Sequence, residues 1–159
     1  MNFANALGIV LRHEGGLSDH PDDPGGLTKW GLSQRAYPDL DIANLLLYDA
    51  ARIYERDYWQ ACRCDDLPYP VALAVFDTAV NCGVARSIRF LQASVGAKED
   101  GLVGPATLAA VKAGRARDIA QAVLRRRLGY YTGLGHFRVF ASGWLARVID
   151  VAWECGAAG

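Results

Sequence analysis

The stretch "VALAVFDTAVNCG" at residues 71–83 sets the strongest limit on the fold. It is apolar on nearly every side, so as a helix it must be covered on nearly every side. The helix expected from about Val71 to Cys82 is far shorter than the roughly 20 residues needed to cross a bilayer. No other run in the chain approaches that length. Burial therefore has to come from other helices of the same chain, and 159 residues suffice for one compact domain with a real core. Asp77 and Asn81 interrupt the apolar pattern. Four residues apart, they share one helix face, and buried polar groups need partners. Either they reach a substrate groove or they tie helices together.

The remaining chain supplies the covering elements. Asn2 can cap a first helix in which Phe3, Leu7, Val10, Leu11 and Glu14 form one stripe, stopped by Gly15 and Gly16. Residues 15–33 are punctuated by Pro21, Pro24, Gly25, Gly26 and Gly31, where a short β-hairpin is expected. A short helix is expected from Asp41 and a longer one over about Asp49–Ala61, with Ala50, Ile53, Tyr54, Asp57 and Tyr58 on one face. Further helices are expected over about Ala85–Val95, after Pro105, from near Asp118 and from near Ser142. No internal repeat or long linker is visible. The fold class is mainly α, with seven or so helices and one small β element after the first.

Composition excludes several functions. Seventeen basic residues balance seventeen acidic ones, so the chain as a whole has no pull toward nucleic acid or anionic lipid. Cys62-x-Cys64 lacks a second pair to complete a zinc site, and His13 and His20 lack a third ligand. No metal and no cofactor is expected, and the four cysteines read as free thiols. The N-terminus has no basic region followed by a cleavable apolar segment, so synthesis in the cytoplasm without a signal peptide and without membrane insertion is expected.

Chemistry concentrates in "RHEGGLSDHPDDPGGLTKWG", residues 12–31. A carboxyl group on an apolar stripe loses solvation, which disfavours its charged form. Such a group, beside glycines that leave room for substrate, suits proton donation to a leaving group. Glu14 meets that description, although a helix-end glutamate paired with Arg12 or with backbone is an equally ordinary arrangement. Asp23 lies nine residues on and Thr28 fourteen, with Asp19 and Asp22 nearby. Glycoside hydrolysis needs an acid on one side of the scissile bond and a carboxylate or positioned water on the other. Asp23, before Pro24, is equally a turn former, and Thr28 equally a hairpin residue. Trp30, Tyr58, Trp59 and Trp144 are candidate platforms for sugar rings, Trp30 foremost. Core packing is the alternative, above all for Trp144 and Trp153 on an apolar helix.

Taken in order, "EGG" at 14–16, "DPGGLTKWG" at 23–31, "DTAVNCG" at 77–83, "LQ" at 91–92, "DGLVGPAT" at 100–107 and "FASGWLAR" at 140–147 resemble the glycoside hydrolase family 108 lysozymes. The resemblance covers about residues 3–155. It implies a lysozyme-like helical fold and cleavage of the β-1,4 bond between N-acetylmuramic acid and N-acetylglucosamine in bacterial peptidoglycan. Glu14 matches the family's Glu-Gly-Gly-Tyr glutamate and becomes the general acid. Leu17 stands where that motif has tyrosine. The order Glu14, Asp23, Thr28 is also similar to the catalytic trio of phage-type lysozymes, which implies water positioning or charge stabilisation by Asp23 and Thr28. Trp30, Tyr58, Asp77 and Asn81 become candidate substrate contacts.

The same resemblance divides the chain into a catalytic part, 1–96, and a helical part, 97–159, similar to a predicted peptidoglycan-binding region and packed with the first as one unit. Arg115, Arg117, Arg125, Arg126 and Arg127 then either aid attachment to an acidic wall or form a solvated helix face. The implied setting is a monomer acting on the wall or in the periplasm after release by a holin or a secretion apparatus. A non-catalytic wall-binding module and a chitinase- or chitosanase-type glycosidase are the alternatives.

Overall fold

The computed structural model describes residues 2–14 and 26–157. Seven α-helices lie among them: α1 (Phe3–Glu14), α2 (Leu47–Tyr54), α3 (Tyr69–Cys82), α4 (Val84–Ser94), α5 (Pro105–Ala113), α6 (Ala116–Thr132) and α7 (Phe137–Ala157). Between α1 and α2, strands β1 (Thr28–Lys29) and β2 (Leu32–Ser33) pair antiparallel, Thr28 opposite Ser33 and Lys29 opposite Leu32. The mainly α fold with a small hairpin after the first helix is the one the sequence predicts.

The apolar helix is the centre of the molecule. Pro70 through Ala79 are all buried in α3, which packs against α1, α4, α6 and α7. It starts at Tyr69, with Pro70 in the first turn, where proline's missing N–H costs nothing. Gly83 at φ +89° ends it. The rings of Phe3, Trp59 and Phe76 meet edge to face at 5.4–5.9 Å, joining α1 and the segment after α2 to α3. Arg12 Nη2 also reaches Glu154 Oε1 at 2.6 Å and fastens α1 to α7.

Five expectations need correction. Asp41 starts no helix: its carboxylate accepts from Asn44 N at 3.2 Å and from Asn44 Nδ2 at 2.9 Å, closing a side-chain turn instead. The helix expected over 49–61 is α only to Tyr54, and Glu55–Gln60 continue as a π-helical turn. Trp59 is no sugar platform, because this wider turn seats it in the core, with its Nε1 donating to Asp65 Oδ1 at 2.8 Å.

The last helix begins at Phe137, a turn and more before Ser142, and Trp153 lies on its outer face, 79% exposed, rather than in the core. His136, Phe140 and Trp144 recur at four-residue steps, and Trp144 stacks on Tyr131 of α6 with centroids 4.5 Å apart. This packing outweighs the weak helix preference of Ser142 and Gly143.

All four cysteines are free thiols. Cys62, Cys64 and Cys155 are buried and Cys82 half-buried. Among the described residues no helix is long and apolar enough to cross a membrane.

Candidate active site

Glu14 ends α1 with its side chain 17% exposed. It is not paired with Arg12. Instead its Oε1 accepts from Arg147 Nη1 of α7 at 2.6 Å. The rest of the Arg147 guanidinium is committed to Asp77 of α3: Nε lies 2.9 Å and Nη2 2.8 Å from Asp77 Oδ1. Asp77 Oδ2 accepts from Arg127 of α6, whose Nε donates to the Tyr131 hydroxyl, and that hydroxyl donates in turn to Asn81 Oδ1. A continuous polar chain thus runs from Glu14 through the core to Asn81, which is exposed.

Charge balance explains how this chain survives burial. Asp77 and Arg127 are both 0% exposed. Burial alone would push the Asp77 carboxyl up, but Arg127 and Arg147 together outweigh it and hold it below the ordinary aspartate value. Burial likewise works against the Arg147 charge, and Asp77 followed by Glu14 reverses it, so its pKa is raised. With no face to solvent, Asp77 is out of a substrate's reach. What the geometry gives it is the fixing of α6 and of Arg147.

The β-hairpin closes against the other carboxylate oxygen. Trp30 and Gly31 form its two-residue turn with φ +54° and +77°, the left-handed pair that a tight hairpin of this twist demands. A Cβ on Gly31 would fall 2.6 Å from Glu14 Oε2 and closer still to the Tyr54 hydroxyl. The turn can approach only because that residue is glycine. Tyr54 OH donates to Trp30 O at 2.8 Å and so locks the turn to α2. Burial first, and then the Glu14 charge, push the Tyr54 hydroxyl well above the usual tyrosine range, so it stays a donor.

Tyr58 is half-buried and packs 5.6 Å from Tyr54, and Tyr37 donates to Asp57 Oδ2 at 2.9 Å. Trp30 is half-buried, with its Nε1 enclosed and without a hydrogen-bond partner among the described residues. Thr28 stands in β1, and its hydroxyl donates to Gly26 O at 3.0 Å. Asp23 lies outside the described residues, as do Gly15, Gly16, Leu17, Asp19, His20 and Asp22. Among the described residues no cluster of three or more His, Cys, Asp or Glu is placed to hold a metal.

Sequence reasoning missed Arg147, Tyr54 and Gly31 as parts of this site. It also grouped Arg127 with solvated arginines although it is fully buried. Arg147 closes the "FASGWLAR" stretch and sits among apolar residues, which was the available signal. Arg127 carried none, because it stands beside two exposed arginines of the same run. "LQ" and "DGLVGPAT" meet each other. Gln92 Nε2 donates to Asp100 Oδ1 at 2.8 Å and to Leu102 O at 3.0 Å, and Gly101 N donates to Gln92 Oε1 at 2.9 Å. The turn ahead of α5 is therefore built around one buried glutamine.

An interior helix ringed by others, a first helix ending on a part-buried glutamate, and a hairpin folded against that glutamate define a glycoside hydrolase with a lysozyme-like fold. The chain belongs to the glycosyl hydrolase 108 family: the family model matches residues 7–83. SagA of Brucella abortus, a solved structure, is 37% identical, with a TM-score of 0.89 over 98% of this chain and 94% of that one. A search of curated proteins found no match. The family and that similarity make the chain a lysozyme-like hydrolase of peptidoglycan.

Proposed function

We propose that the chain is an N-acetylmuramidase that cleaves the β-1,4 bond between N-acetylmuramic acid and N-acetylglucosamine, with Glu14 as general acid. The observation that carries this is the unequal treatment of the two Glu14 oxygens. Oε1 is occupied by Arg147 at 2.6 Å. Oε2 lies on the other side, against the Gly31 turn. The carboxylate left after proton donation is stabilised through Oε1 by a guanidinium already in place. The order Glu14, Asp23, Thr28 along the chain supports giving Asp23, with Thr28, the role of positioning water or stabilising the oxocarbenium-like transition state. Trp30, Tyr58 and Asn81 offer sugar contacts, while Asp77 acts only through Arg147. The enzyme reaches the wall after release by a holin or a secretion apparatus.

The test is reducing-end release from purified peptidoglycan, chitin and chitosan by the parent chain and by Glu14→Gln. Release from peptidoglycan alone, with products ending in reducing N-acetylmuramic acid, is expected. Glu14→Gln should lose roughly 10²- to 10⁴-fold while folding normally. Full activity in that variant would overturn the assignment, and release from chitin instead would move the substrate.

A further inference from the structure

Ile53 and Tyr54 are successive residues of α2 with different neighbours. Tyr54 bonds the hairpin turn beside Glu14. Ile53 lines an open cavity of about 850 Å³ between α2, the π-helical turn and residues 36–40. Tyr37 lines the cavity, and its hydroxyl donates to Asp57 Oδ2 at 2.9 Å, next in sequence to Tyr58, whose ring packs 5.6 Å from that of Tyr54. The cavity and the glutamate site thus share α2, Ile53 lining the one and Tyr54 reaching the other. A π-helical turn forms one wall, and such turns recur at functional sites.

The cavity's walls are charged in both senses. Asp39, Asp49 and Glu55 supply carboxylates, and Arg52 and Arg56 supply guanidinium groups. Arg56 is held by Asp57, Nε to Oδ1 at 2.5 Å and Nη2 to Oδ2 at 2.8 Å. Asp39, Asp49, Glu55 and Arg52 make no ion pair with one another among the described residues. Unpaired charges of opposite sign, set apart around one cavity, complement a ligand that carries both signs set apart. A glycan backbone of N-acetylated sugars carries no ammonium for the carboxylates. A peptide stem does: it has free carboxylates and the side-chain ammonium of a diamino acid, and it branches from each muramic acid of the strand.

We propose that this cavity takes the peptide stem of peptidoglycan, a short zwitterionic peptide, beside a glycan strand that passes Glu14. The proposal rests on the peptidoglycan reading given above. Arg52 receives a stem carboxylate, and Asp39, Asp49 and Glu55 receive the ammonium. The enzyme accordingly distinguishes decorated from bare strands.

The experiment compares kcat/KM on glycan strands bearing stems and on the same strands stripped by an amidase, for the full chain, Arg52→Glu and Asp39→Lys. Both substituted residues are exposed, and thermal melts check that both variants fold. A charge-assisted hydrogen bond made to one substrate alone favours the decorated strand by roughly tenfold or more in the parent chain. Both reversals should bring that ratio close to one. The free tripeptide of L-alanine, γ-D-glutamate and diaminopimelate should bind the parent chain, measured by calorimetry, and not the variants. Equal cleavage of both substrates by the parent chain overturns the stem proposal alone, and so does an unchanged ratio in both variants. A chain that cleaves neither substrate overturns the peptidoglycan reading and this proposal with it.

Discussion

Arg147 Nη1 stands 2.6 Å from Glu14 Oε1 while its Nε and Nη2 hold Asp77 Oδ1 at 2.9 and 2.8 Å. One planar guanidinium thus ties the end of α1 to the interior of α3 and fixes the direction of the Glu14 carboxyl. A lysine ammonium is a single point charge and cannot span both acids in that geometry. Arg147→Lys should therefore lower kcat about 10²-fold, the scale of a misplaced catalytic group, with KM little changed. Steady-state kinetics on peptidoglycan strands decide it. A raised KM with unchanged kcat would make Arg147 a substrate contact instead of a positioning residue.

Gly31 tests the approach of the hairpin. A methyl group there meets Glu14 Oε2 and the Tyr54 hydroxyl, and φ +77° strains any side chain. Gly31→Ala should cost about 1–3 kcal/mol, read from urea unfolding, and should lower activity by more than the folded fraction explains. Tyr54→Phe separates the two effects. It removes the 2.8 Å bond to Trp30 O without adding bulk. It should cost about 1 kcal/mol and leave more activity than Gly31→Ala.

The sequence declares the central helix, its termination at Gly83, the first helix and the hairpin because each rests on local rules: apolar periodicity, glycine at a left-handed position, turn residues between polar strands. Glu14 was legible for the same reason, since it falls on the core stripe of α1. Its partner was not. Arg147 lies 133 positions away, and nothing in local pattern says that an arginine on α7 will meet a glutamate on α1. Asp77 announced that it needed a partner but not that it would take two. The π-helical turn after Tyr54 escaped notice because residues 49–61 keep helical periodicity to within a residue. The outer face of α7 misled in the other direction: Trp153 sits in an apolar pattern as convincing as that of α3, yet one side of it is solvent.

Acid should loosen the core through Asp77. Its carboxyl is held below the ordinary value because burial is outweighed by Arg127 and Arg147. A carboxyl whose folded value lies below its unfolded value stabilises the fold above the unfolded value, about 3.9. That contribution fades as pH falls through the folded value. The melting temperature of the parent chain should show no loss from this group between pH 7 and about 5 and should fall steeply below about 4. Asp77→Asn should be less stable at pH 7 and should show a shallower acid decline in the same melts. An equally steep decline in that variant would assign the acid sensitivity to other carboxylates.

The arginine run of α6 separates by burial. Arg125 is exposed, Arg126 is exposed and caps α4 by donating to Ala93 O at 2.8 Å, and Arg127 is fully buried between Asp77 and Tyr131. Charge alone cannot distinguish the three, but desolvation does. Removing one partner of a buried ion pair leaves an uncompensated charge, at a cost of about 3–5 kcal/mol, whereas an exposed arginine leaves water on both sides of the change. Arg127→Ala should accordingly lower the urea midpoint severely, and Arg125→Ala should leave it unmoved. Arg127→Met tests the source of the loss. It keeps most of the volume and removes only the charge and its bonds, so it should remain nearly as destabilised as Arg127→Ala. Adding Asp77→Asn to Arg127→Met should recover part of the stability, because the second change relieves the charge that the first one stranded. A double-mutant cycle with no coupling between positions 77 and 127 would show that packing, not charge balance, holds α6 to α3.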